Sequence, residues 1–164
     1  MIIVVSSLVD VRELLKYNEM ERNRYFECFT RLSWEEFTEN REASFHSVRN
    51  IFVHTLGAID CWLDFLQKEN LHSKKKYDAY RTFEEVRVYM KHVEKRTKDY
   101  RDSLPNEGLN KTYTLTDDNN KTVEITAEDV LIHVFEEEVH HRGELIALLW
   151  QMNIEPPPMG WKGL

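Results

Sequence analysis

The stretch Ile132-His133-Val134-Phe135-Glu136-Glu137-Glu138-Val139-His140-His141-Arg142-Gly143-Glu144 sets three histidines and four carboxylates into a segment that otherwise reads as a buried helix. Thr126 has the chemistry of an N-cap, and Asp129 stands three residues on as its capping partner. The helix is expected to run to about Met152, where Asn153 and the run Pro156-Pro157-Pro158 stop it. In alternating steps of four and three, Val130, Val134, Glu137, His141, Leu145, Leu148 and Met152 share one stripe. Two ionisable residues thus fall in the middle of an apolar row. Burying a carboxylate beside an imidazole is costly unless each is paired or bound to a cation. Glu137 and His141 stand one helical turn apart and project the same way, which is a metal-ligand spacing. The spacing also suits a hydrogen-bonded pair at the edge of the stripe. His133 and His140 lie on the neighbouring row with Gly143 and Ala147, small residues that suit close helix contact. A metal reading needs a third ligand from elsewhere in the chain.

Working outward, the 164 residues suit one domain, 1–164, with a real core. A net charge of -7 argues against a nucleic-acid-binding face, and Lys74-Lys75-Lys76 is too short a basic run to make one. Cys28 and Cys61 are too few for a disulfide framework and read as reduced core thiols of a cytoplasmic protein. The apolar start Met1 to Val5 lacks a basic leader and is too short to span a membrane, so no membrane partner is expected.

Four long helices are expected. The first starts at Asp10, with Glu13 as capping partner, and reaches about Leu32. Ser33 caps a short turn, Trp34 to Phe37. The second helix runs from about Ser44 to Glu69, with Val48, Phe52, Ile59, Trp62 and Leu66 on one stripe and Ile51, His54, Ala58, Cys61 and Phe65 beside it. His54 is therefore embedded among apolar neighbours, where a lone histidine matters only if it meets the other helix. Asn70 to Arg81 reads as an exposed loop. Thr82 caps a third helix that ends before Pro105 and turns Phe83, Val86, Tyr89, Met90, Val93 and Tyr100 inward. The period then changes: Tyr113 to Thr116 and Thr122 to Ile125 alternate as strands around the turn Asp117-Asp118-Asn119-Asn120. The fold class is all-α, a four-helix bundle with a small β-hairpin between the third and fourth helices. Such bundles build metal sites from inward residues on facing helices. A di-iron centre would need Glu-x-x-His pairs on two helices. Only the last helix offers them, as Glu137/His140 and Glu138/His141.

Val53-His54-Thr55-Leu56-Gly57-Ala58-Ile59-Asp60-Cys61-Trp62 is similar to the second-helix motif of the DinB/YfiT family. His140-His141-Arg142-Gly143-Glu144-Leu145-Ile146, followed by Glu155-Pro156-Pro157, resembles that family's fourth-helix signature. The order of elements agrees over nearly the whole chain. The resemblance implies an up-down-down-up bundle binding one divalent metal through three histidines, one on the second helix and two on the fourth. By position these fall on His54, Glu137 and His141, so the middle ligand is a glutamate here, and Glu144 replaces the usual Gln of the motif. Two imidazoles with one carboxylate point to zinc or nickel, with iron or manganese as further options. Relatives include thiol-dependent transferases and isomerases, which implies a metal-dependent enzyme of transferase, isomerase or hydrolase type. Its small-molecule substrate would be unknown, with a low-molecular-weight thiol as one option. The other reading is a non-catalytic, stress-associated protein whose ion clips two helices. A fourth protein ligand such as His133 would favour the clip. Glu138 and His140 are candidates for acid–base work. A homodimer is also expected, with Met159-Gly160-Trp161 among its contacts.

Overall fold

The computed structural model describes residues 9–68, 76–116 and 119–161. The first five residues, Lys74 and Lys75, the helix end at Glu69 and the turn residues Asp117 and Asp118 lie outside that range. The chain orders its elements as α1 (Val11–Phe29), α2 (Trp34–Thr38), α3 (Val48–Lys68), α4 (Phe83–Ser103), β1 (Thr112–Thr116), β2 (Thr122–Thr126) and α5 (Ala127–Gln151).

Helix starts follow from side chains that satisfy the first free amides. Thr126 and Asp129 form a reciprocal capping box at α5, and Ser33 with Glu36 does the same at α2. Thr82 accepts from the Glu85 amide at α4. At α1 the cap is Asp10, as expected, but its partner is Arg12. The Asp10 carboxylate accepts from the Arg12 amide at 2.8 Å and from the Arg12 guanidinium, while Glu13 pairs with Lys16.

The largest departure is the start of α3, at Val48 rather than Ser44. Glu42 and His46 take positive φ values of 57° and 74°, and His46 closes a tight loop by donating to the Ala43 carbonyl at 2.9 Å. Non-glycine residues in that conformation cannot belong to a right-handed helix. The helix opens instead at Ser47, whose hydroxyl accepts from the Asn50 amide at 3.2 Å.

Cross-helix contacts fix the directions. Arg12 of α1 reaches the Leu104 carbonyl after α4, and Arg87 early in α4 pairs with Glu27 late in α1, so these two run antiparallel. Asn18 and Arg22 of α1 meet Phe135 and Glu138 of α5 in the same order, so α1 and α5 run parallel. His54 of α3 faces His141 of α5 while Trp62 faces His133, an antiparallel pair. The bundle is therefore up-down-down-up. Phe26, Phe29, Phe37 and Phe52 are fully or almost fully buried and pack ring on ring at one end. At the other end the hairpin pairs Tyr113 with Ile125, and the Tyr113 hydroxyl donates to the Leu66 carbonyl at 3.0 Å, tying β1 to the end of α3. Among the described residues, no helix is long and apolar enough to cross a membrane.

Candidate functional site

The antiparallel contact of α3 with α5 brings His54, Glu137 and His141 together. One nitrogen or oxygen from each lies within 4.8 Å of the others. Glu137 Oε2 stands 3.7 Å from His54 Nε2 and 3.4 Å from His141 Nε2. That oxygen is buried and has no hydrogen-bond partner among the described residues. A buried carboxylate oxygen aimed between two imidazoles without a hydrogen bond is an arrangement a cation would satisfy. Bonds of about 2.0–2.2 Å to nitrogen and oxygen would set tetrahedral ligand atoms roughly 3.3–3.6 Å apart. The two separations from Glu137 Oε2 are close to that range, and the types of donor suit a divalent ion.

The loop before α3 helps to hold both imidazoles. Phe45, in the loop before α3, stacks on His54 with centroids 3.8 Å apart and 19° between planes, and meets His141 edge-on at 5.5 Å. His141 Nδ1 lies 2.6 Å from Glu144 Oε2, and the Ser44 hydroxyl donates to the same carboxylate at 2.9 Å. Burial would raise the Glu144 pKa, but hydrogen bonds from Ser44 and His141 outweigh it and hold it below the usual carboxylate value. Glu144 carries a role that the spacing along α5 did not show. Its signal was the i, i+3 step from His141, but the Ser44 loop that completes the contact is a tertiary feature.

Not every residue of the stretch joins the site. His133 sits against Trp62, 3.7 Å from the other oxygen of Glu137, and is not in the three-residue group. His140 is exposed. Glu138, rather than Glu137, occupies the core row of α5: it is 5% exposed and receives two hydrogen bonds, of 2.8 and 3.0 Å, from the buried Arg22. Glu137 lies at the edge of the stripe, with its side chain 27% exposed. A carboxylate locked to a guanidinium is not available for acid–base work, which removes Glu138 as a candidate and further weakens the di-iron pattern. Cys28 is buried and Cys61 half-buried, and neither is joined in a disulfide.

An up-down-down-up bundle with a hairpin before the last helix, and a His-Glu-His group between its second and fourth long helices, defines the class. The family model that matches residues 6–162 is the DinB family, and the chain belongs to that family. No curated protein matches. Solved structures that are similar include two DinB-like proteins. A DinB-like protein from Bacillus subtilis, 19% identical, superposes with a TM-score of 0.66 over 90% of this chain and 97% of its own. A DinB-like protein from Bacillus cereus, 15% identical, gives 0.70 over 90% and 94%. At these identities the likeness concerns the fold.

Proposed function

We propose that this chain binds one divalent metal ion through His54, Glu137 and His141 and serves as a metal-dependent enzyme. The observation that carries the reading is Glu137 Oε2, buried without a hydrogen bond and directed between two imidazole nitrogens. Membership of the DinB family supports it. Imidazoles favour zinc or nickel over calcium, with iron or manganese as further options. Glu137 supplies a negative charge that partly neutralises the cation at the edge of the core, while Phe45 limits rotation of the His54 ring. A divalent ion held by these three residues would supply Lewis-acid chemistry toward a water or thiol.

Ligand count separates catalysis from a structural clip. Structural zinc sites are commonly closed by four protein ligands, whereas catalytic ones keep a position open. Among the described residues the group around Glu137 supplies three, and His133 approaches only the outer oxygen of Glu137, while a second group, His140, His141 and Glu144, shares only His141 with it. This favours the enzyme, of transferase, isomerase or hydrolase type, with a small molecule such as a low-molecular-weight thiol as substrate. Elemental analysis of untagged protein purified without chelators tests the binding. The expected result is one transition-metal ion per chain, and protein that neither retains zinc or nickel nor takes it up on addition would overturn the reading.

We further propose a homodimer. Of the tail expected to contribute, Trp161 packs edge-on against Tyr17 of its own chain at 5.2 Å, while Met159 is exposed. The outer row of α5 offers a further surface: Ile132, Val139 and Trp150 are each at least 40% exposed there, around Gly143, whose missing side chain would meet nothing within 4 Å.

A further inference from the structure

We propose that Glu144 is a positioning residue for the metal centre, holding the His141 ring in the tautomer whose proton is on Nδ1, so that Nε2 turns a bare lone pair toward Glu137 and His54. The inference rests on the metal reading above and adds to it a residue outside the ligand set.

Three contacts carry it. His141 Nδ1 and Glu144 Oε2 are 2.6 Å apart, the short separation of a charge-assisted hydrogen bond. An ionised carboxylate can only accept, so the proton belongs to the ring nitrogen. The Ser44 hydroxyl donates to that same oxygen at 2.9 Å and fixes the carboxylate against α3's leading loop. With Nδ1 committed as donor, the neutral imidazole has its one remaining lone pair on Nε2, the atom that lies 3.4 Å from Glu137 Oε2. The loop is itself held in a defined shape. His46 at φ 74° donates to Ala43, and the Arg41 amide donates to His46 at 2.6 Å, which places Ser44 over Glu144 and the adjacent Phe45 over His54. One short strap therefore orients both imidazoles, the first through a stacked ring and the second through a carboxylate. Partners of this kind fix ring orientation and raise ligand basicity, and their loss typically weakens metal binding about 10–100-fold.

Two measurements test it. In the metal-free protein at mildly alkaline pH, ring 15N NMR of His141 is expected to show the proton on Nδ1 in wild type and E144Q, whose amide oxygen still accepts, and on Nε2 in E144A. Zinc affinity, read by competition with a chromophoric chelator, is expected to fall about 10–100-fold in E144A and to recover in E144Q, with one ion per chain at saturation throughout. A wild-type ring protonated on Nε2 would overturn the inference, and that measurement needs no variant should E144A fail to fold. Wild-type zinc affinity in E144A, with H141A unable to bind, would overturn it and leave the metal reading standing. Wild-type affinity in H141A would instead sink the metal reading, and the tautomer would still decide what Glu144 does.

Discussion

Arg22 and Glu138 are almost fully buried, joined by two hydrogen bonds between helices 116 residues apart in sequence. Removing both from water is costly, and the pair holds because each satisfies the other. Among the described residues Arg22 Nη1 has no hydrogen-bond partner, and Arg22 lines a cavity of about 20 Å³. A space of that size admits one water molecule, which would complete the guanidinium. Breaking the pair leaves a lone buried charge, so E138A is expected to destabilise the fold by about 3–5 kcal/mol, whereas the double replacement R22M/E138L is expected to be neutral or stabilising. Chemical denaturation of wild type and the two variants checks this, and a double variant as unstable as E138A would contradict it. At the same scale lies the part of the site that sequence did not reveal. A step of one residue decides whether Glu137 or Glu138 faces the core, and a helical stripe is wide enough to admit either. Arg22 makes the choice, and its position is set by the packing of α1 along α5. His54 and His141 stand on apolar rows of two long helices, and the resemblance to the DinB/YfiT family, rather than the spacing alone, paired them.

Between elements, the contact of α3 with α4 is polar at its edge. Arg96 pairs with both Asp60 and Asp64, and Lys68 also reaches Asp64, at 2.9 Å. Burial alone would raise the Asp64 pKa, but hydrogen bonds from Lys68 and Arg96 outweigh it and hold it below its ordinary 3.8. A depressed folded pKa means the unfolded chain takes up the proton first as pH falls. The stability Asp64 contributes is thus present above about pH 4 and is lost as pH drops through the lower folded value. Thermal midpoints measured between neutral and strongly acid pH are expected to fall less steeply in D64N than in wild type. Parallel curves would contradict the assignment. Helices and hairpin were legible as elements because their periods differ and because capping residues mark their starts. The loop before α3 was not, since Glu42 and His46 carry no local signal for left-handed backbone comparable to glycine.

For the whole molecule, the up-down-down-up order makes α3 and α5 antiparallel neighbours, and that arrangement lets residues 83 positions apart share one site. The outer row of α5 faces away from this contact and presents Ile132, Val139 and Trp150 to solvent. Light scattering at micromolar concentration is expected to give twice the 19.7 kDa of one chain, and V139E to give the monomer. A monomeric wild type would remove the dimer without touching the site.

The claim on which the rest depends is that Glu137 is a ligand rather than a core carboxylate. Metal stoichiometry of wild type, E137A and E137H, each reconstituted with zinc and passed through a desalting column, tests it most directly. One ion per chain is expected in wild type and in E137H, which restores a third imidazole. E137A keeps only His54 and His141, and a two-ligand site is expected to lose its ion on the column. Equal retention by E137A and wild type would contradict the account and take Glu137 out of the site.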